Sequence, residues 1–507
     1  MSLINTIITW LNVKRMHQIK LFKEYPFEVQ QEMLFKLIQN AKDTEWGKKY
    51  NYAGINTIEE FQDRIPVQTY DQIKRYVNRL RKGEKNLLWP GDIKWFARSS
   101  GTTSAKSKFI PVSKEALEDC HFRGSKDVVA IYTANHPDTK ILTGKALTLG
   151  GSHKINNFSN QSYFGDLSAI LIENAPFWAD FLRTPDHKIA LIEEWEEKLE
   201  KITKATINEN VTNIAGVPSW NLVMIKYILN FTGKNNLLEV WPNLELFIHG
   251  GVSFIPYRKQ FEKLIPSEKM NYMETYNASE GFFGIQDDLS RNDMLLMLDY
   301  SVFYEFIPIE NINDKNSKAL TIAEVEVSKN YAIVISTNGG LWRYMIGDTI
   351  IFTSVNPHRF KISGRTKHFI NAFGEEVIID NATRALNIAC NKTGAQIREF
   401  TAAPVFMDEN RKGSHEWLIE FEIPPSDLDY FTSALDHALM SLNSDYEAKR
   451  YKNITLDRPI VRSMEKGAFY TWFEKKKKLG GQNKIPRLSN DRNYIGELLL
   501  INELLKK

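Results

Sequence analysis

Short apolar, β-branched runs alternate with longer amphipathic ones over most of this chain, and that alternation restricts the fold more than any other feature. "KALTLGGS" (145–152) is followed by "ALIEEWEEKLEKI" (190–202), where Trp195, Leu199 and Ile202 share one helical face, and then by "LELFIHGG" (244–251) and "YAIVIST" (331–337). Strands that alternate with helices build an α/β sheet rather than a β-sandwich. Ahead of them, residues 26–85 keep a helical period, with Phe27, Met33, Leu34 and Leu37 at near-helical spacing. Beyond "RFKISGRTKHFINAFGEEV" the texture changes. "TRALNIACNK" (383–392) reads as a helix, "REFTAAPVFM" (398–407) and "HEWLIEFEIP" (415–424) as strands, and "DYFTSALDHALMSLNSDYEAKR" (429–450) as one further helix. The expected organisation is a large α/β domain over 1–367, with an N-terminal helical layer at 1–90, followed by a smaller α+β domain over 368–507.

Composition enters as a filter. With 507 residues, 43% of them hydrophobic and 25% charged, the chain has the balance of a multi-domain globular protein. Its 65 basic and 62 acidic side chains give a net charge of +3, which excludes the basic footprint of a nucleic-acid binder. Cys120 and Cys390 are the only cysteines, too few for a disulfide framework and without zinc-ligand spacing, so a reducing, cytoplasmic setting is expected. No apolar run reaches the ~18 residues of a membrane span. The start "MSLINTIITWLNVKRMHQIKLF" reads as an amphipathic helix.

Four motifs carry chemistry. "RSSGTTSAKSK" (98–108) groups the hydroxyls of Ser99, Ser100, Thr102, Thr103 and Ser104 around Gly101, with Lys106 and Lys108 beside them. Such a set can replace the water shell of a polyphosphate; taken alone it reads equally as a polar surface turn, and it lacks Walker spacing. "ETYNASEGFFG" (274–284) offers an aromatic ring, a hydroxyl and the Glu280 carboxylate, suited to a base, a phosphate and a magnesium ion, or else a plain strand end. In "LWRYMIGDTI" (341–350), Asp348 stands between apolar runs and needs a partner, which a ribose diol could supply; an ordinary "GD" hairpin is the other reading. "ISGRTKHFINAFGEEVI" (362–378) places Arg365, Lys367 and His368 at the inferred domain junction.

The order of these motifs resembles the adenylate-forming superfamily of acyl-CoA synthetases, luciferases and peptide-synthetase adenylation domains. "WPGDIKWFARSSGTTSAKSKFIPVS", "GVPSW", "GLWRYMIGD" and "LNSDYEAKR" are similar to one branch, the Gretchen Hagen family of acyl-acid amido synthetases, over about residues 30–490. The resemblance implies a ligase that spends ATP, with Mg²⁺, to adenylate a carboxylic acid, then passes the acyl group to an amine, usually an amino acid. It implies that Ser99, Ser100, Gly101, Thr102 and Thr103 cradle phosphates and that Gly250, Gly251 and Val252 line the adenine and acyl side. Tyr276, with Asn277 next to it, would meet adenine, Ser279 the α-phosphate, Glu280 the magnesium and Asp348 the ribose. Arg365 and Lys367 would lie at the hinge, and Lys484 of "GGQNKIPRL" would swing into the site for adenylation. Met345 and Asn277 depart from the plant pattern, which carries arginine and alanine there. An acyl-CoA ligase and a non-catalytic adenylate-binding protein are the competing readings. Residues 151–180, with Tyr163, Phe164, Phe177 and Trp178, read as an acyl pocket or equally as core plus loop, and His153 and His249 as contacts to a carboxylate or an amine or as structural residues. The partners implied are small molecules.

Overall fold

The computed structural model describes residues 3–99, 108–150, 156–159, 162–192, 194–255, 257–312, 314, 317–365, 369–408, 411–451, 455–475 and 487–506. The N-terminal layer is helical, as its period requires, with helices Leu3–Glu24, Pro26–Ala41, Ile58–Arg64 and Tyr70–Arg81. Pro26 stands at the start of the second, where the missing N–H has no intrahelical partner to lose. Leu34, Leu37 and Ile38 form its buried stripe. Gln30 lies in that stripe and donates to the carbonyls of Leu298 and Val302 at 2.8 and 2.9 Å, while its own oxygen accepts from the Tyr304 N–H at 2.8 Å. The helix is therefore hydrogen-bonded to the sheet beneath it as well as packed on it. Leu3–Glu24 is docked in turn, with Ile19 and Phe22 buried and Arg15 paired to Asp127 at 2.6 Å and to Asp299 at 2.5 Å. No described helix is long and apolar enough to cross a membrane.

Strands β1 (Trp95–Ser99), β2 (Lys108–Val112), β3 (Lys145–Thr148), β4 (Asn156–Ser159), β5 (Ser162–Gly165), β6 (Arg183–Thr184), β7 (Val211–Gly216) and β8 (Leu246–Gly250) are interleaved with helices, as the alternation of texture requires. A second run follows: β9 (Asn271–Ala278), β10 (Gly281–Ile285), β11 (Met294–Leu296), β12 (Val302–Pro308), β13 (Asn330–Thr337), β14 (Tyr344–Val355) and β15 (His358–Arg365). Among the described residues these form a four-stranded sheet, β2-β1-β5-β4, and an eleven-stranded one, β12-β13-β14-β15-β11-β10-β9-β8-β7-β3-β6. From β6 to β9 the large sheet is parallel, and from β9 to β12 it is antiparallel. Strand β9 is thus the seam between a helix-covered half and a hairpin half.

The last part of the chain adds β16 (Phe369–Ile370), β17 (Val377–Ile378), β18 (Gln396–Val405), β19 (Ser414–Ile423) and β20 (Ile460–Met464), the last three forming a sheet of their own backed by helices Ile379–Thr393 and Leu428–Leu442. It docks on the parallel half of the large sheet. Ile370 and Phe373 share one apolar cluster with Phe247, Tyr257 and Phe261, and Tyr257 Oη donates to the Ala372 carbonyl at 2.6 Å.

One expectation is corrected, and one alternative reading is closed. The segment expected as one helix over 429–450 is two, Leu428–Leu442 and Ser444–Arg450. Asn443 takes φ −142°, ψ 109° and caps the second by accepting from the Tyr446 N–H at 2.7 Å; short polar side chains favour this over continuing a helix. The "GD" pair is no hairpin turn. Gly347 and Asp348 lie inside β14, where the register against β13 shifts between Ala332 and Val334, and Gly347 has φ +104°, which only glycine adopts without strain.

Arg343, just before β14, is buried with Glu305 of β12, Nη2 to Oε1 at 2.9 Å. It also donates to the carbonyls of Gln62 and Ile65 at 2.6 and 2.5 Å, tying the helical layer to the sheet. Arg343→Met leaves Glu305 as an uncompensated buried charge, so urea denaturation is expected to show a loss of about 3–5 kcal/mol. A loss below ~1 kcal/mol would contradict this role.

Candidate active site

The motif residues converge where the sheet changes from parallel to antiparallel. Strand β8 ends at Gly250, directly opposite Thr275 of β9. A Cβ on Gly250 would sit 2.3 Å from the Thr275 carbonyl oxygen, so the close approach of the two strands requires glycine. Val252 turns inward and is buried among Phe247 and Phe254.

On β9, Tyr276 is buried with its ring against Phe283 and Phe360, centroids 5.0 and 6.1 Å away. Its hydroxyl donates to Asp348 Oδ2 at 2.5 Å. The protein therefore supplies the partner that the Asp348 carboxylate needs, and does so with a residue of the neighbouring motif. Arg365 closes β15 and is the register partner of Asp348. Tyr276, Asp348 and Arg365 are thus gathered from three strands.

Asn277 faces a residue that no motif pointed to. His121 Nδ1–H donates to Asn277 Oδ1 at 2.9 Å. His121 lies on a π-helical turn, Leu117–Phe122, whose Cys120 Sγ accepts from the Phe282 N–H at 3.2 Å. Burial pushes the His121 imidazolium pKa down to about 4, so the ring is neutral and its proton is on Nδ1. Ser279 and Glu280 form the turn between β9 and β10, immediately beyond Asn277 and Ala278. Among the described residues no three metal-ligating side chains cluster. Glu280 is a single carboxylate on a tight turn, a donor set that would suit only a cation that keeps most of its waters.

Ser99 is the last residue of β1 and pairs with Lys108 of β2, so the two strands hold both ends of the hydroxyl-rich segment. Ser100, Gly101, Thr102, Thr103, His153, Lys367 and Lys484 lie outside the described residues. Within the candidate acyl stretch, Tyr163 and Phe164 are on β5 and pack against Trp95 and Phe109, ring centroids 5.1 Å apart in each pair. His249 is a core residue: its ring stacks on Phe254 at 4.2 Å, its Nδ1 has no partner among the described residues, and burial with Arg258 nearby lowers its pKa to about 3. Sequence reasoning passed over Lys198, a buried ammonium that donates to the Gly150 carbonyl at 2.7 Å just past β3 and is pushed down by burial to about 8. Its helix reads as a solvated amphipathic one, and a charged residue on the inner face carries no periodic signal of its own.

Comparison with known proteins decides the lineage. The model of the GH3 family N-terminal domain matches residues 15–270, that of the central domain 295–365 and that of the C-terminal domain 380–493. The chain belongs to the GH3 family. This is the Gretchen Hagen family that its motifs resemble. Curated GH3 relatives include the indole-3-acetic acid-amido synthetase GH3.3 of Arabidopsis thaliana, 22% identical over 87% of this chain and 85% of that protein. The jasmonoyl–L-amino acid synthetase GH3.5 of Oryza sativa subsp. japonica is 24% identical over 92% of each. Among solved structures, the AtGH3.15 acyl acid amido synthetase in complex with 2,4-DB aligns with a TM-score of 0.60 at 17% identity over 93% of each chain. A 2-hydroxyisobutyryl-CoA ligase in its thioesterification state aligns at 0.57 and 13%, over 95% of this chain and 92% of that one. These likenesses establish the expected mixed α/β fold of the GH3 and adenylate-forming enzymes.

The neutral histidines set an acid limit. A pKa lower in the folded than in the unfolded chain means that the unfolded chain binds more protons below pH ~6.5, so stability present above that pH is lost as pH falls towards the folded value. Between pH 6.5 and 5, His249 alone contributes about 2 kcal/mol of that loss. His249→Phe, which suits the surrounding aromatic cluster, is expected to lose about 2 kcal/mol less than the parent between those pH values by urea denaturation. Equal slopes would contradict a buried neutral His249.

Proposed function

We propose that this GH3 protein activates a carboxylic acid with ATP and transfers the acyl group to the amine of an α-amino acid. The observation that carries the reading is the Tyr276 Oη–Asp348 contact at the seam of the sheet, which joins two of the nucleotide motifs in space. In the first step an oxygen of the acid attacks the α-phosphorus of ATP, the bond to the β-phosphate bridge breaks and pyrophosphate departs. In the second, the amine nitrogen attacks the activated acyl carbon, the bond to the phosphate oxygen breaks, AMP leaves and the nitrogen gives up its proton.

Each residue has a place in that chemistry. Asp348, held by Tyr276 Oη, accepts from the ribose hydroxyls. The Tyr276 ring, with Asn277 beside it, bears on the adenine. Gly250 and Gly251 leave room for the nucleoside. Ser99, Ser100, Gly101, Thr102 and Thr103 cradle the phosphates, Ser279 meets the α-phosphate, and Arg365, Lys367 and Lys484 neutralise charge as pyrophosphate forms. Glu280 would hold a magnesium ion, which would supply further charge neutralisation. Residues 1–367 are proposed to hold nucleotide and acid, residues 368–507 to reposition between the two steps, and a reducing cytoplasmic setting suits the free Cys120 and Cys390.

Pyrophosphate release is expected to depend on both ATP and a carboxylic acid across a panel of acids, and to be stimulated by amino acids. Stimulation by coenzyme A instead would assign a thiol acceptor, as in the CoA-ligase neighbour. Asp348→Ala is expected to lower acid-dependent release by about tenfold to a hundredfold, from the loss of charge-assisted hydrogen bonds, with the fold retained. Unchanged turnover would remove the ribose assignment.

A further inference from the structure

One polar pair beside the proposed nucleotide site keeps hydrogen-bonding capacity that the chemistry described so far does not use. His121 is 1% exposed and lies on the π-helical turn Leu117–Phe122. Such turns hold an extra residue, re-aim the side chains around it and are frequent at functional sites. This one delivers Cys120 to the Phe282 N–H of β10 at 3.2 Å and His121 to Asn277 of β9 at 2.9 Å. The helix that follows, Arg123–Asn135, is pressed onto the same strands: a Cβ on Gly124 would stand 2.5 Å from the Phe282 ring. Phe282 is the register partner of Asn277, so helix, ring and amide share one face of the sheet.

The pair is satisfied on one side only. With the His121 Nδ1–H given to Asn277 Oδ1, the lone pair of His121 Nε2 and the Asn277 Nδ2 amide remain, and neither has a hydrogen-bond partner among the described residues. Neither nitrogen is sealed in the core, as the partnerless Nδ1 atoms of His249 and His415 are; both border open space. Buried polar groups rarely stay unanswered. Because burial keeps the ring neutral, with a pKa of about 4, Nε2 is an acceptor and not a second donor. Two hydrogen-bonded side chains therefore present one acceptor and one donor.

Their position indicates which substrate meets them. Side chains alternate along a strand, so that of Asn277 lies on the face of β9 opposite Tyr276, whose ring is proposed to bear on the adenine. Ser279, proposed to meet the α-phosphate, stands two residues on, about 7 Å along the chain. The acyl group of the activated acid is covalently joined to that phosphate, which brings its first few carbons to the pair. Asn277 is also one of the two departures from the plant pattern, so this polar pair is a feature of this chain.

We propose that His121 Nε2 and Asn277 Nδ2 together bind a hydroxyl group near the carboxyl end of the acid, and that the acid this protein activates is a hydroxycarboxylic acid. The inference rests on the adenylation reading above and names the substrate class of that site. A hydroxyl completes both groups, donating its proton to Nε2 and accepting from Nδ2. A ketone accepts from Nδ2 and leaves the imidazole lone pair bare, and a hydrocarbon chain leaves both. Sites built to hydrogen-bond a substrate hydroxyl reject the analogue that lacks it, because the desolvated partners are left unpaired.

The test is acid-dependent ATP–pyrophosphate exchange by the full-length chain, which reads adenylation without any amine. Acids with a hydroxyl on the second, third or fourth carbon, and phenolic acids, are each compared with the deoxy counterpart and, for the aliphatic ones, with the keto acid. The best hydroxy acid is expected to exceed its counterparts in kcat/KM by about tenfold or more. His121→Asn keeps a donor for Asn277 Oδ1 and withdraws the outer acceptor. It is expected to lower kcat/KM for the hydroxy acid far more than for the deoxy acid, so that the preference falls to about threefold or less. Asn277→Ala, which removes the donor, is expected to act the same way and is read instead if His121→Asn does not fold. A parent that favours no hydroxy acid over its deoxy counterpart, or variants in which both acids fall in step, would make the pair a structural tie between helix and sheet and overturn the proposal. Absence of exchange in the parent with every acid would overturn the adenylation reading itself, and this inference with it.

Discussion

The hydrogen bond from Tyr276 to Asp348 is the constraint on which the site depends. Strands β15, β11 and β10 lie between β14 and β9 in the sheet. In a flat sheet those two strands would be about 19 Å apart, beyond the reach of any two side chains. A 2.5 Å contact between them requires the sheet to curl around its own aromatic core of Phe283, Phe360 and Tyr304. The curl has identifiable causes: the bulge at Gly347, the register shifts between β14 and β15 and between β9 and β10, and the short β11. Motifs separated in the sequence by some seventy residues meet because the irregular strands between them bend.

The second constraint is the seam at β9. Parallel strands deliver their loops to one end, and Gly250 and Gly216 each close such a strand. Antiparallel pairing beyond the seam returns β10 by a tight turn at Ser279 and Glu280. The seam therefore sets a glycine-lined crevice beside a carboxylate-bearing turn. Neither half of the sheet alone would present both chemistries at one place.

How much of this was legible follows from what each element depends on locally. The alternating runs identified the strands of the parallel half, and the helical period at 26–85 identified the N-terminal layer, because hydrophobic spacing is a property of each segment by itself. The break at Asn443 was missed because the apolar period runs on through it, while the cap that interrupts it is a single side-chain bond. The "GD" pair was ambiguous because a glycine with positive φ serves a turn and a bulge alike. Asp348's need for a partner was legible; that Tyr276 supplies it was not, since the contact depends on the curl of the sheet. His121 and Lys198 could have been suspected only as polar residues on inward helical faces.

The central claim is that the acid oxygen attacks the α-phosphorus of ATP before an amine takes the acyl group. The most direct measurement is the fate of oxygen-18 placed in the carboxylate of an acid that supports amide formation, followed by mass spectrometry of the nucleotide product. The account predicts one labelled oxygen in AMP for each amide formed, since the bond that breaks on acyl transfer leaves that oxygen on phosphorus. Label in inorganic phosphate with ADP as the nucleotide product, or amide formation with unlabelled AMP, would contradict it.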